Sequence, residues 1–335
     1  MSCVSGSRFG GEAGLPIVPS IATIREAQKF LAKYFAPTRL VAAPFLGRMT
    51  QRSVYLKLET ELPTSSFKVR GAMYALAQRM GRGPVEEVVA SSTGNHGSAV
   101  AYAAKQFGIA ARIFLPAHCN PVKRARIASL GAAIVESGGS DLASAFALAA
   151  EHAERPGVCF LNDATDLDVP AGPATIGCEI LEHLPETSAI LVPIGDTALI
   201  RGIAAAAKQV APRVKIIGVQ AERAPSYYLS WKEGRVVGTE TCDTIADGLA
   251  TRTPEAANVR DVKKLVDEVV LVSEGEMLRA IELLLLEEHV LAEPAGAAST
   301  AALLKSSTGF GEHVVLVVSG ANISREVLRR ALATK

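Results

Sequence analysis

The sequence has few cysteines, few aromatic residues, no excess of either charge and no long hydrophobic run. Its five cysteines are far apart and include no C-x-x-C pair, so we expect a reduced, cytoplasmic protein without a disulfide framework. Its 35 basic and 34 acidic residues are interspersed, which argues against nucleic acid or a membrane surface as partner. The apolar run at Ile281–Leu286 is too short to cross a bilayer.

Small aliphatic residues dominate the composition, which is 49% hydrophobic but only 5% aromatic. This balance is typical of parallel strands covered by helices. A chain of 335 residues exceeds the usual size of one core, so we expect two lobes. Residues 1–20 are rich in Gly, Ser and Pro and lack an apolar signal core, so we interpret them as a flexible tail.

Short β-rich runs alternate with longer helical patterns along the chain. The predicted strand–helix pairs are 54–59 and 70–80, 88–91 and 96–107, 112–115 and 122–130, 133–136 and 142–154, 158–161 and 174–184, 190–194 and 199–210, 214–220 and 226–232, 269–272 and 274–288, and 314–318 and 325–333. The alternation predicts an α/β fold with right-handed crossovers and open, mostly parallel sheets.

Ligands of such sheets bind beyond the carboxyl ends of the strands, so the residues that follow strands are the candidate binding residues. Four strand-exit segments are unusually polar or rich in glycine: Thr64–Gly71, Ser91–Gly97, Gly195–Gly202 and Ser319–Asn322. We expect the functional residues to lie in these segments.

Lys68 lies between an aromatic and a β-branched residue, so its side chain can be partly buried. Burial lowers the pKa of a lysine and makes the amine a nucleophile and a base. The alternative is a surface lysine at the start of a helix. His96, taken alone, is more often a structural histidine than a catalytic one.

Two of the segments run from a strand into a helix, where free backbone N–H groups bind anions. Ser91–Gly97 would suit a substrate carboxylate, and Gly195–Gly202 would suit a phosphate. Ordinary helix capping is the alternative for both. The negative charge of Asp196 would repel a phosphate unless the carboxylate points away from it. Ser319 would face a heteroaromatic nitrogen or belong to a plain turn.

Together the segments resemble the tryptophan-synthase-β-like (fold type II) family of pyridoxal 5'-phosphate (PLP) enzymes, and are most similar to serine/threonine dehydratases and serine racemase. The motifs that carry the resemblance are 66–72, 92–97, 244–249, 293–297 and 319–322. It spans about residue 20 to the end. It implies two open, mostly parallel sheets in two lobes: a large PLP-binding domain of residues 21–80 and 164–335, and a small domain of residues 81–163.

The resemblance also implies a role for each matching residue. Lys68 would form a Schiff base with PLP and Asn95 would bind the 3′-oxygen of the cofactor, while Lys68 and Thr93 would be catalytic. The remaining cofactor-binding residues would be Phe67, Gly195, Asp196, Thr197, Ala198, Leu199, Glu293 and Ser319. The substrate-binding residues would be Ser92, Thr93, Gly94, Asn95, His96 and Gly248.

The implied reaction is β-elimination on a small β-hydroxy amino acid. Lys68 would remove the Cα proton, the β-hydroxyl would leave with acid help, and the product would hydrolyse to a 2-oxo acid and ammonia. Ser319, in contrast to a carboxylate, leaves the pyridine nitrogen largely unprotonated and favours elimination over transamination. A homodimer is expected by the same resemblance.

Departures from the family pattern bear on the substrate. The phosphate loop, usually four glycines, is Gly195–Ala198 here, and Asn162–Ala164 replaces the His-Pro-Phe/Asn of many dehydratases. Residues 171–175 and 38–40 also differ from the usual Ala-Gly-Gln-Gly-Thr and Thr-Pro-Leu. These differences predict a β-hydroxy amino acid other than plain threonine or serine.

Other activities stay open. A racemase would need a hydroxyl opposite the lysine, which Thr93 supplies with a stiffer side chain than serine. A β-replacement synthase and a non-catalytic cofactor-binding relic are the further alternatives. We predict no racemase-type metal site, because Glu222 is present but Tyr228 occupies a position that would need a carboxylate oxygen. Only one helix follows Ser319, so we expect no regulatory domain and a catabolic role.

Overall fold

The computed structural model describes residues 18–92, 94–117, 121–139, 142–306 and 309–333. Most of the predicted flexible tail, residues 1–17, lies outside these ranges. The strands are β1 (Leu40–Ala42), β2 (Ser53–Leu58), β3 (Glu87–Ser91), β4 (Ala110–Leu115), β5 (Ala133–Glu136), β6 (Val158–Phe160), β7 (Ala189–Pro193), β8 (Lys215–Ala221), β9 (Glu268–Val272) and β10 (His313–Val318).

Helices connect and cover these strands. They are α1 (Ile21–Leu31), α2 (Pro44–Thr50), α3 (Lys68–Arg82), α4 (Asn95–Phe107), α5 (Pro121–Ser129), α6 (Leu142–His152), α7 (Ala171–His183), α8 (Ala198–Val210), α9 (Ser226–Glu233), α10 (Ala256–Leu265), α11 (Glu274–Leu286), α12 (Pro294–Lys305) and α13 (Arg325–Leu332). Short 3-10 turns occupy Glu59–Glu61 and Asp247–Leu249. Within the described ranges, no helix is both long and apolar enough to span a bilayer.

The strands form two sheets. A six-stranded sheet has the order β1-β2-β10-β7-β8-β9, and a four-stranded sheet has the order β5-β4-β3-β6. Neighbouring strands run parallel except for β1, which pairs antiparallel with β2. This arrangement confirms the predicted α/β fold with two mostly parallel sheets. The division into domains at residues 81 and 163 stays a prediction.

The central strands are buried on both faces because helices cover each side of the sheet. Every residue of β7 is buried, and so is every residue of β10 after His313. Such strands read as continuous runs of Val, Ile and Leu instead of alternating patterns. Their carboxyl ends carry the polar segments that the sequence singles out, so the sheet order decides which of these segments meet.

Five elements were not predicted from the sequence: α1, β1, α2, α10 and α12. Helix α12 is buried almost all round, from Pro294 to Leu303, and therefore has no amphipathic stripe to reveal it. Strand β1 has only three residues, too few for an alternating pattern. Every strand and helix that was predicted is found within a few residues of its expected position.

Candidate active site

Lys68 is the first residue of α3, and its ammonium group forms an ion pair with the carboxylate of Asp163, which follows β6. The lysine side chain is only 15% exposed. Its Nζ lies 5.4 Å from the centre of the Phe67 ring. The reading of Lys68 as a surface lysine is therefore wrong.

The electrostatic surroundings of Lys68 shift its pKa in the direction opposite to the one expected from burial. Burial lowers the pKa of the ammonium group, but the carboxylates of Asp163, Asp196 and Glu293 outweigh burial and raise it above its ordinary value. Burial acts in the opposite sense on Asp163, yet the neighbouring His96 and Lys68 hold the pKa of that carboxyl below its usual range. Lys68 is thus a charged, paired amine before any cofactor binds.

His96 joins the same cluster from the first turn of α4. Its Nε2–H donates to the carbonyl oxygen of Leu161 at 2.8 Å, and its Nδ1 lies 3.6 Å from Asp163 Oδ2. Both ring nitrogens are thereby directed at protein groups. The predicted contact between His96 and a substrate carboxylate stays a prediction.

Asn95, at the start of α4, connects three strand-exit segments. Its Nδ2 donates to Glu293 Oε1 at 2.6 Å, and its Oδ1 accepts from the side-chain amide of Asn322. Asn322 Nδ2 also donates to the carbonyl oxygen of Thr64 at 3.0 Å. The side chain predicted to bind the cofactor 3′-oxygen is therefore held by neighbours from two other segments, and one of these neighbours, Asn322, is itself held by Thr64.

Ser319 follows β10 and lies against the lysine segment. Its carbonyl oxygen accepts from the Phe67 N–H at 3.0 Å, and Ser66 forms an isolated antiparallel bridge with Gly320. Ser319 is only 4% exposed. The hydroxyl of Ser66 is buried, and no hydrogen-bond partner for it is found among the described residues. The Ser319 segment and the Lys68 segment thus form one wall of the site.

The fourth segment leads from β7 into α8. Thr197, just before the helix, is buried and has a left-handed backbone (φ 72°), which is uncommon for a β-branched residue and often marks a functional turn. Its hydroxyl accepts from Arg201 Nε at 3.1 Å. The free N–H groups at the start of α8 suit a phosphate. The buried Arg201 guanidinium is held by protein groups, since Nη1 donates to Asp261 Oδ2 at 3.3 Å and Nη2 donates to the Ala164 carbonyl oxygen at 3.4 Å.

Asp196 stands beside this helix start. Its Oδ1 accepts from the Thr251 hydroxyl at 3.3 Å, so one carboxylate oxygen is turned toward the Gly248–Thr251 segment. Burial and the charge of Asp163 raise the pKa of the Asp196 carboxyl above its ordinary value. A Cβ on Gly195 would lie 2.0 Å from the carbonyl oxygen of Gly248, so glycine is required for this close approach.

The structure places most predicted site residues at one edge of the two sheets. Ser92 Oγ accepts from the Gly94 N–H at 3.2 Å, which shapes the turn into α4. Thr93 lies outside the described residues. Sequence reasoning missed the roles of Asp163, Arg201 and Asn322. Asp163 was visible only as a departure from the family pattern, and Arg201 only as a basic residue one turn into α8.

The donor set fits PLP. A buried amine, Lys68, can attach to its aldehyde, and the Asn95 amide donates to Glu293, whose charge acts on that amine. The buried Ser319 follows β10, and the phosphate would meet the amino end of α8.

Comparisons with known proteins agree with this assignment. The model of the pyridoxal-phosphate dependent enzyme family matches residues 31–320. An L-threonine ammonia-lyase of Thermotoga maritima is 38% identical over 93% of this chain and 78% of its own length. The catabolic L-threonine dehydratase of Escherichia coli is 33% identical over 92% of this chain and 94% of its own.

Solved structures give the same result. Maize serine racemase superposes with a TM-score of 0.88 and 28% identity, covering 94% of this chain and 97% of that one. Threonine deaminase isoform 2 from Solanum lycopersicum superposes with a TM-score of 0.86 and 28% identity, covering 95% of this chain and 94% of that one.

Proposed function

Because the chain belongs to the pyridoxal-phosphate dependent enzyme family, we propose that it is a PLP-dependent ammonia-lyase that converts a β-hydroxy amino acid into a 2-oxo acid and ammonia. The observation that carries this proposal is the meeting of Lys68, Asn95, Ser319 and the start of α8 at the carboxyl ends of the two sheets. Relatives that are 33–38% identical and named L-threonine ammonia-lyase or dehydratase support the type of reaction.

The residues of the chain divide the work between binding and proton transfer. When bound, PLP supplies an electron sink for the carbon that bears the substrate amine. Lys68 holds the cofactor and, once released, accepts the Cα proton. The start of α8 would bind the phosphate, Asn95 would orient the ring through its 3′-oxygen, and Ser319 would face the pyridine nitrogen without giving it a full charge.

The substrate itself is bound at the start of α4. The turn Ser92–His96 would hold the substrate carboxylate through backbone N–H groups and hydroxyls. Gly248, packed against Gly195, would lie beside the substrate. The proton that Lys68 takes from Cα would balance the hydroxide lost from Cβ, so that water leaves in total, and hydrolysis of the resulting enamine would yield the 2-oxo acid and ammonia.

We further propose that the preferred substrate is a β-hydroxy amino acid other than threonine or serine. The support is the pair Asp163 and Asp196, which occupies two positions where this chain departs from the family pattern and adds carboxylates around Lys68. Additional side chains there change both the room and the charge beside a substrate.

A turnover panel tests the proposed reaction. PLP-loaded protein is incubated with L-threonine, L-serine and the threo and erythro forms of other 3-hydroxy amino acids, and 2-oxo acid and ammonia are quantified. We expect equal amounts of both products from at least one compound. Absence of both products throughout would contradict the ammonia-lyase, and turnover confined to threonine and serine would contradict the unusual substrate.

Racemisation is the second candidate activity, and the superposition on maize serine racemase favours it. Incubation of the substrate in deuterated water separates the two reactions. A racemase returns both enantiomers with deuterium at Cα, whereas the proposed lyase returns 2-oxo acid.

We also propose a cytoplasmic homodimer that needs no nucleic-acid or membrane partner. The interspersed charges and the widely spaced cysteines support the location and the lack of such partners, and the resemblance to the family supports the dimer. Light scattering coupled to size-exclusion chromatography tests the dimer, and fractionation of the source cell tests the location. A monomer, or recovery in the membrane fraction, would contradict it.

A further inference from the structure

We propose that Asp163 is a positioning residue for Lys68, which holds Nζ of the lysine and keeps the proton on that nitrogen. The inference rests on the proposed role of Lys68. It concerns a carboxylate outside the residues that the family resemblance assigns to the site, in the segment Asn162–Ala164 that departs from the family pattern.

The hydrogen bonds of the site single out Asp163. Three carboxylates act on the charge of Lys68: Asp163, Asp196 and Glu293. Asp196 Oδ1 accepts from the Thr251 hydroxyl at 3.3 Å, and Glu293 Oε1 accepts from Asn95 Nδ2 at 2.6 Å. Among the described residues, Asp163 is the carboxylate that accepts a hydrogen bond from Nζ itself.

The backbone around Asp163 is fixed, so the carboxylate has a defined position. The carbonyl oxygen of Ala164 accepts from Asn258 Nδ2 at 3.0 Å. The carbonyl oxygen of Asn162 accepts from the Asp166 N–H at 2.9 Å. These bonds come from both sides of Asp163, and they hold its side chain toward the start of α3.

Positive neighbours keep the Asp163 carboxylate ionised despite its burial: Lys68 on α3 forms an ion pair with it, and Arg201 on α8 acts on it electrostatically. The His96 ring on α4 lies 3.6 Å from it, and Asp196, just before α8, is the acidic group that opposes its charge. His96 is oriented by its bond to Leu161, which leaves Nδ1 toward Asp163. A buried carboxylate without a positive neighbour is strongly unfavourable, so Asp163 favours a proton on the nitrogen beside it.

Two consequences follow for the reaction. In the cofactor-free protein, Asp163 keeps the amine protonated, so the amine must lose its proton before it attaches to PLP. During turnover, the released lysine takes the Cα proton, and Asp163 stabilises the ammonium ion that forms. Removing the negative charge of Asp163 is therefore expected to lower the pH at which Nζ loses its proton.

The first test uses the cofactor-free protein and needs no activity. Acetylation of Lys68 by a limiting pulse of acetic anhydride is measured against pH by mass spectrometry of the peptide that contains it. We expect the midpoint to be above the ordinary lysine value in the wild type and to fall by about 1 to 3 pH units in Asp163→Asn. Asp163→Glu, which keeps the charge, is expected to restore much of the shift.

Asp166→Asn is the matched control. Asp166 is buried three residues after Asp163, but its carboxylate pairs with Arg79 Nη2 at 2.7 Å instead of with Lys68. This variant should leave the Lys68 midpoint unchanged. An unchanged midpoint in Asp163→Asn would overturn the inference. If that variant does not fold, the wild-type protein decides: a midpoint at or below the ordinary lysine value overturns the inference, and a higher one supports it.

The second test separates this inference from the proposed function. PLP is added to the wild type, Asp163→Asn and Asp166→Asn, and the visible absorption of the bound cofactor is titrated with pH. A lower midpoint in Asp163→Asn alone is expected. If the wild type forms no visible band, the proposed function fails. If the band forms and all three midpoints coincide, the inference fails and the proposed function stands.

Discussion

Arg70 Nη1 donates to Glu179 Oε1 across 2.5 Å, although both side chains are almost fully buried. Arg70 lies two residues after Lys68 on α3, and Glu179 lies on α7. Arg70 Nε also donates to Glu59 at 2.8 Å, and Lys57 Nζ donates to Glu179 Oε2 at 2.5 Å. Two cations and two carboxylates thus neutralise each other behind the site and fix the helix that carries the reactive lysine.

Removing one carboxylate of this buried cluster should be strongly destabilising. Glu179→Gln leaves two buried cations with one carboxylate, so the free energy of unfolding should fall by about 3–5 kcal/mol. Urea unfolding at neutral pH measures the change. Glu182→Gln, on the same helix but in an exposed pair with Arg25, should cost only about 0–1 kcal/mol. Equal losses in the two variants would contradict this account of the cluster.

The same cluster gives the protein a pH dependence of stability. Burial raises the pKa of Glu179, but Arg70 and Lys57 outweigh burial and hold it below its ordinary value of 4.5. The contribution of Glu179 is therefore complete above that pH and is lost as pH falls through the lower, folded-state pKa. The difference in stability between the wild type and Glu179→Gln should shrink on acidification. A difference that grows below pH 4.5 would contradict the assigned direction.

Gly195→Ala should disrupt the phosphate loop, because the added Cβ would clash with the carbonyl oxygen of Gly248. We expect the affinity for PLP to fall by about tenfold or more, which is about 1.4 kcal/mol. Titration of the protein with PLP, followed by visible absorbance, measures this change. Gly81→Ala is the control, since a Cβ there has no neighbour within 4 Å. Unchanged PLP affinity in Gly195→Ala would count against the loop as the phosphate site.

Turnover should not require a divalent metal at Glu222. The ammonium group of Lys305 donates to Glu222 Oε1 at 2.9 Å, to Glu276 Oε2 at 3.2 Å and to the Leu271 carbonyl oxygen at 3.0 Å. A bound cation would have to displace this amine. Assays with a chelator and with added magnesium should give the same rate, and loss of activity on chelation that magnesium restores would refute the prediction.

Much of the fold could be predicted because strands and helices leave different periods in the sequence. The segments that follow β3, β7 and β10 could be recognised from their glycines and polar residues. Helix α12 could not, because a helix buried all round carries no periodic signal. The hydrogen-bond and ion-pair partners that stabilise the site could be recognised in the sequence only in part.

The pairing of Lys68 with Asp163 was beyond sequence reasoning, since the two residues are 95 positions apart and meet only through the sheet order. The direction in which the pKa of Lys68 shifts depends on that pairing. Local neighbours such as Phe67 indicate burial and hence a lower pKa. The carboxylates of Asp163, Asp196 and Glu293 come from three distant segments and reverse the direction.

Covalent attachment of PLP at Lys68 is the central claim, and reductive trapping tests it directly. Protein supplied with PLP is reduced with borohydride, digested and mapped by mass spectrometry, together with Lys68→Ala and the exposed-lysine control Lys105→Ala. We predict a visible band before reduction and the cofactor mass on the peptide that contains Lys68, in the wild type and Lys105→Ala only. Labelling at another lysine, or full turnover by Lys68→Ala, would contradict the account.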